Sequence, residues 1–432
     1  MNSVISPANR LAASWPSLFF TAFFCFFASC EDNSSSKLST QIGDESPEPR
    51  GQVLVGGHLV GTNSSSSANE EFKKTTSDNA TVSHTEAKRS VHPSRTPSDN
   101  RPPILAVKTL DTTAFGVPIG NFSDQLLMMR NDGAIQRIPK PDIVQQTILK
   151  DRFRSIERNE LAQQLRAEFG RNYLVKSESP YLIVAKPENI NAWSQRFRSL
   201  HHSFQLYCTT HGLPTRDIEF PLVAVVFGSR NEFLKYTHAG GVRIPEFCVG
   251  YYFSDSNRIL LYESEESSTK DTQLTICHEA THQLAFNMGL HQRRAATPLW
   301  LIEGLATMFE SPTLSGFQAR EGKSLWPASR KQTWKTLAKR PESIQRVLSG
   351  LIQNDKAFES DSQNAYTVAW AMSTYLSQRR SQQFGPYLQR VGNLPPFEDY
   401  AAPVRVADFQ SAFGADVKLL TNKIIKHLET LE

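Results

Sequence analysis

The rhythm of apolar and polar positions divides the chain into segments. Residues 18–27 form a nearly unbroken apolar run, Leu18-Phe-Phe-Thr-Ala-Phe-Phe-Cys-Phe-Phe27. Residues 31–103 have no sustained apolar rhythm and are rich in Ser, Thr, Asn, Asp, Glu and Lys. Residues 104–142 alternate apolar with polar, and Asn131-Asp132-Gly133 predicts a hairpin joining 126–130 to 134–138. From 143 the spacing mixes strand and helix, and after 312 it is helical throughout.

The mixed stretch predicts a helix over 151–170, then a hairpin of 173–176 with 181–185. A long helix over 190–212, a buried strand over 221–228 and a short helix over 229–236 follow. A second hairpin pairs 250–253 with 258–262 across Ser254-Asp-Ser-Asn257. The next helix starts with Asp271 or Thr272 as cap and stops at Gly289. Another runs from Thr297-Pro298 to Ser311-Pro312, with proline at its first helical position. Helices at 329–339, 342–353, 364–380, 381–391 and 415–430 complete the chain, and His427 on the last is expected to face solvent. This succession predicts an α+β protein: a small β unit at 104–142, SH3-like in outline, then 143–432 with a mixed sheet and a helical C-terminal half.

Composition adds the ends of the picture. Arg10 and the apolar run make residues 1–30 an export signal, since the run is too short to span a bilayer. Phe27-Ala28-Ser29-Cys30 is similar to a bacterial lipobox, with Cys30 as the lipid-modified residue; ordinary cleavage near Ser29 is the alternative. The expected location is periplasmic, cell-surface or extracellular, with membrane attachment through Cys30. Residues 31–103 cannot bury enough apolar surface to offset their ordering entropy and read as a disordered linker. The 47 basic and 43 acidic residues are well mixed, so no basic stripe points to nucleic acid. Beyond the signal stand Cys208, Cys248 and Cys277; the count permits one disulfide, with Cys208–Cys248 as the possible pair, and Cys277 reads as a small core residue.

The chemistry concentrates in Cys277-His278-Glu279-Ala280-Thr281-His282 and Trp300-Leu301-Ile302-Glu303-Gly304. Four residues apart on a helix, His278 and His282 leave the same face. Two imidazoles and a carboxylate are a typical catalytic zinc set with the fourth position left to water. Glu303, 21 positions after His282, lies among apolar neighbours, where an unpaired charge is costly and Zn²⁺ supplies a partner. A third histidine ligand is disfavoured, because Ala285 and Met288 stand where that pattern needs Gly and His.

The run from His278 to Glu310 resembles the gluzincin clan of zinc metallopeptidases. Within it, Pro298-Leu-Trp-Leu-Ile-Glu-Gly-Leu-Ala-Thr-Met-Phe-Glu310 is similar to the W-L-x-E-G-x-A-x-x-x-E segment of the aminopeptidase N family. The likeness covers roughly residues 240–380 and implies a thermolysin-like catalytic domain over 143–432, acting on a peptide or protein. It implies one Zn²⁺ on His278, His282 and Glu303, with Glu279 as the base. It also implies that Tyr366, opening Tyr366-Thr-Val-Ala-Trp-Ala-Met-Ser-Thr-Tyr-Leu376, stabilises the oxyanion; the alternative is that Tyr366, Trp370 and Tyr375 only pack. In this clan the strand before the zinc helix is a sheet edge that pairs with substrate; an interior position for 258–262 is the alternative. Glu310 and Thr307 are candidates for orienting a ligand imidazole.

One departure matters. Aminopeptidases of that family carry G-x-M-E-N, whose glutamate holds a free amine, and Val249–Ser254 has no glutamate. The layout resembles secreted bacterial gluzincin-like proteins of uncharacterised function, the peptidase MA-like group, with an endopeptidase more in keeping than an aminopeptidase. A zinc-containing surface scaffold without turnover is the second reading.

Overall fold

Apolar runs bounded by turns build two five-stranded sheets. The structure, a computed structural model, describes residues 100–244, 248–263, 269–315 and 326–431. The expected signal, Cys30 and the linker up to residue 99 lie outside the described residues.

The first sheet is an open antiparallel one of β1 (Pro103–Thr109), β2 (Thr113–Asn121), β3 (Gln125–Met129), β4 (Ile135–Pro139) and β5 (Ile143–Arg152), in the order β4-β3-β2-β1-β5. Gly133, at φ +79°, takes the turn between β3 and β4 as its neighbours predict. β5 corrects the expected boundary: the β unit runs ten residues past 142, and the helix expected from 151 begins at Arg158. β5 is exposed along most of its length and owes its conformation to pairing with β1 rather than to an apolar face of its own.

The second sheet has the order β6-β7-β8-β10-β9, from Leu174–Glu178, Tyr181–Ala185, Leu222–Phe227, Arg258–Tyr262 and Gly250–Phe253. β7, β8 and β10 run parallel at its centre, with antiparallel β6 and β9 as edges. Helices cover both faces, so the central strands are continuous apolar runs. Alternate residues divide between two cores: Leu222, Ala224 and Val226 face one, Val223, Val225 and Phe227 the other. α1 (Arg158–Phe169) and α3 (Arg230–Ala239) lie over the smaller core. α2 (Ile190–Thr210) and α4 (Thr269–Asn287) lie over the larger.

The larger core continues into the helical half: α5 (Leu299–Met308), α6 (Ala328–Ala338), α7 (Pro341–Gln353), α8 (Ala357–Ser360), α9 (Ser362–Arg379), α10 (Ser381–Gly392), α11 (Ala402–Phe413) and α12 (Val417–Glu429). The chain is thus α+β, as expected. α8 and α11 were not expected from the sequence. No helix among the described residues is long and apolar enough to cross a membrane.

Three local expectations are corrected. Cys208 is a free, buried thiol, so the Cys208–Cys248 disulfide does not form. His427 is buried rather than solvent-facing, because α12 turns it toward α9, where Gln378 and Arg379 contact its two ring nitrogens. β10 is an interior strand, as the alternative reading had it, and its hairpin partner β9 forms the edge.

Candidate metal centre

α4 begins at Thr269, so neither Asp271 nor Thr272 is its cap. It ends before Gly289, whose φ of +81° is the left-handed stop that glycine supplies without strain. From Thr275 to Ala285 it is buried on all sides, against sheet and helices alike. Gln283 fixes it to the sheet, donating to the carbonyls of Val223 and Asn257 at 3.1 and 2.7 Å. Cys277 is a buried core thiol as expected, its pKa pushed well up by burial.

His278 and His282 stack one turn apart, ring centroids 4.6 Å apart and nearly perpendicular. Glu303 reaches them from α5, with Oε2 at 3.2 Å from His278 Nε2 and 3.6 Å from His282 Nε2. The donor atoms of the three residues all lie within 4.8 Å of one another, and all three residues are buried. Among the described residues this is the one group of its kind that could hold a metal ion.

Gly304 explains how α5 comes so close. A Cβ there would lie 2.5 Å from the Ala369 carbonyl oxygen of α9, and closer still to Ser373 Oγ. Only glycine allows this approach, and it brings α9 alongside Glu303. Tyr366 of α9 accordingly sits over the site, its ring 6.4 Å from that of His278 and 5.2 Å from that of Phe358. The Arg330 guanidinium lies 5.2 Å from its centroid. Burial, followed by the Glu303 charge, raises the phenol's pKa well above its ordinary value. Trp370 and Tyr375 point elsewhere: Trp370 joins Trp326 and Trp334, and Tyr375 meets His427.

α5 stops at Met308, short of the expected Ser311-Pro312, and the following turn carries Glu310 round to His278. Glu310 Oε1 lies 3.0 Å from His278 Nδ1, leaving Nε2 for the Glu303 side. Thr307, the other candidate for orienting an imidazole, is buried with no hydrogen bond to its hydroxyl among the described residues. Glu279 turns the other way: its Oε2 accepts the N–H of Tyr252 on the edge strand β9, at 2.7 Å. Sequence reasoning missed this contact, because nothing local in Tyr251-Tyr252 announces it.

The electrostatics test whether a cation fits. Burial alone would lower the His278 pKa, yet the carboxylates of Glu303 and Glu310 raise it to about 10. Burial would raise Glu303, yet the charges and hydrogen bonds of His282 and His278 hold it well below the usual carboxylate range. Burial lifts Glu279, opposed by the two imidazoles. Three buried carboxylates near two imidazoles favour a cation, which a metal ion would supply. His291 is buried nearby but outside the group of His278, His282 and Glu303; burial and the His282 charge push it down to about 3.

Fold and site together define an α+β protein with a buried His-His-Glu group able to bind a metal ion. Residues 273–398 match a family model described as a protein of unknown function, DUF1570. The matched stretch contains His278, Glu279, His282, Glu303, Glu310 and Tyr366. No curated protein matches the chain.

Proposed function

We propose that the chain is an exported, zinc-dependent metallopeptidase of gluzincin type, cutting within peptides rather than from a free amine end. One observation carries the reading: the donor atoms of His278, His282 and Glu303 converge within 4.8 Å. The chemistry of the donor set favours zinc over hard, oxygen-bound cations. Zinc held there would lower the pKa of a bound water to about 7 and polarise a scissile carbonyl.

The remaining work falls to side chains of this protein. Glu279 accepts the proton of the attacking water and delivers it to the leaving amine. The Tyr252 N–H holds one of its oxygens, leaving the other to take the proton. Tyr366 donates a hydrogen bond to the developing oxyanion, a contribution of about 3 kcal/mol for a well-placed donor. β9 is a sheet edge against α4, suited to hold an extended peptide by its backbone. Val249–Ser254 offers no carboxylate to anchor a free amine, which is why internal cleavage is preferred.

Glu279→Gln should retain one zinc per chain by metal analysis and lose cleavage of a broad peptide library. Undiminished cleavage by that variant overturns the mechanism. A second reading is a zinc-containing surface scaffold without turnover. The bond from Tyr252 favours it, since it occupies one oxygen of the base. Stoichiometric zinc in a wild-type protein that cuts nothing in the library would select it. Export and anchoring belong to the same proposal, with Cys30 expected as a lipid-modified first residue in the mass spectrum of the mature protein.

A further inference from the structure

Between the β1–β5 sheet and the C-terminal turn of α4 lies a cavity of about 380 Å³. Small-molecule sites range on the order of 300–1,000 Å³. None of the candidate metal ligands lines it. Its apolar walls are Ile119, Ile135, Phe220, Phe286, Pro396 and Phe397. Three guanidiniums, Arg216, Arg293 and Arg294, line it together with Asp217 and Glu219.

The positive charge there is incompletely answered. Arg293 donates to two backbone carbonyls, Gly133 at 2.8 Å and Ser254 at 3.0 Å. Arg294 shares Asp255 with Arg137. Its Nε is buried with no hydrogen-bond partner among the described residues, and so is Gln292 Oε1. Burial, then the Arg137 charge, pushes Arg294 down to about 10. Arg216 makes no ion pair among the described residues and lies across Gly289, where a Cβ would come within 2.9 Å of its Nε. Four guanidiniums therefore face the three carboxylates of Asp217, Glu219 and Asp255, leaving one positive charge over.

The apolar wall is held at some cost. Phe397 adopts φ +67°, a left-handed conformation rare for an aromatic residue. Its N–H donates to the Arg294 carbonyl at 2.6 Å, and its ring meets Phe122 edge-on at 5.1 Å. Strain of this kind concentrates where a side chain is positioned for binding.

We infer that this seam is a binding site for a monoanionic carboxylate with an aromatic or branched apolar arm. A guanidinium fork matches a carboxylate with two parallel hydrogen bonds. A single surplus charge suits a monoanion better than a phosphate dianion. The ring-lined wall takes the arm. A free arylalkanoate and the C-terminal residue of a peptide share this chemistry. The occupant would touch Phe286 and Asn287, one turn beyond His282 on α4.

Calorimetric titration of the full chain tests the assignment. The probes are N-acetylphenylalanine, 4-phenylbutyrate and a tripeptide ending in phenylalanine, with N-acetylphenylalaninamide as the uncharged control. The acids should bind saturably and the amide at least tenfold more weakly. Tighter binding of the tripeptide assigns the site to peptide C-termini, and equal binding of 4-phenylbutyrate to free carboxylates; either supports the site. Arg216→Gln removes an exposed, unpaired guanidinium and should weaken the acids about tenfold. Phe397→Gly relieves the left-handed strain while removing the ring, and should weaken binding without unfolding. The inference is overturned by no saturable binding, by equal affinity for acid and amide, or by affinities unchanged in both variants. Zinc content and Glu279→Gln report on the other site, so failure here leaves the peptidase reading untouched.

Discussion

The middle and the C-terminal end of α4 each bury a polar cluster, and the clusters are built on opposite terms. Toward its C-terminus, Asn257 and Asn287 exchange side-chain hydrogen bonds at 2.8 and 2.9 Å. Tyr252 adds its hydroxyl to Asn257 at 2.8 Å, and Asn287 also donates to the Gln283 carbonyl at 2.7 Å. Every group here is neutral, and Gln283 Oε1 is the one amide atom of the cluster without a partner. One turn earlier, Glu303 meets His278 and His282, Glu310 holds His278, and Glu279 turns toward β9, all five between 1 % and 9 % exposed. Its carboxylates outnumber its imidazoles, three to two. A neutral, mutually bonded cluster fixes structure, whereas one richer in carboxylates than in imidazoles suits a cation.

Tyr366 offers the sharpest test of this contrast, because it touches the charged cluster without belonging to its ligands. Tyr366→Phe should lower turnover by roughly 10²–10³-fold, the scale of a lost oxyanion donor. Zinc content should not change. Steady-state peptide cleavage measures this, and an unchanged turnover number returns Tyr366 to packing, alongside Trp370 and Tyr375.

A smaller effect is expected one contact further out. Glu310 holds His278 Nδ1 and so fixes which nitrogen points at Glu303. Glu310→Gln keeps the shape but removes the charge. Zinc affinity, read by competition with a chelator, should fall roughly 10–100-fold, as it does when the partner of a ligand histidine is lost. Thr307→Val should leave affinity unchanged, since the threonine hydroxyl makes no hydrogen bond among the described residues.

The same contrast explains what could be read from the sequence. The spacing of His278 and His282 on α4 is local, and helix periodicity alone brings them onto one face. The central strands were legible because both faces are apolar. Elements with polar residues on their inner side escaped. α11 buries Arg405, which binds Asp355 Oδ2 at 3.0 Å, and that charge interrupts the apolar stripe that would have marked the helix. His427 was assigned to solvent for the same reason. β5 has no apolar face and exists through its pairing. The Tyr252–Glu279 bond and the seam cavity join segments distant in sequence, and no spacing encodes them.

Asn287 provides the gentlest break, in the neutral cluster. Asn287→Ala leaves Asn257 Nδ2 buried without its acceptor, a loss of about 1–3 kcal/mol. Denaturant unfolding should show that loss with the slope unchanged. Zinc stoichiometry should stay at one, because no ligand is touched. The distinction between the clusters depends on that second measurement. If zinc falls along with stability, the amide pair is setting the position of α4 and hence of the ligands. The neutral cluster would then be part of the metal site's geometry rather than a separate clamp on the sheet.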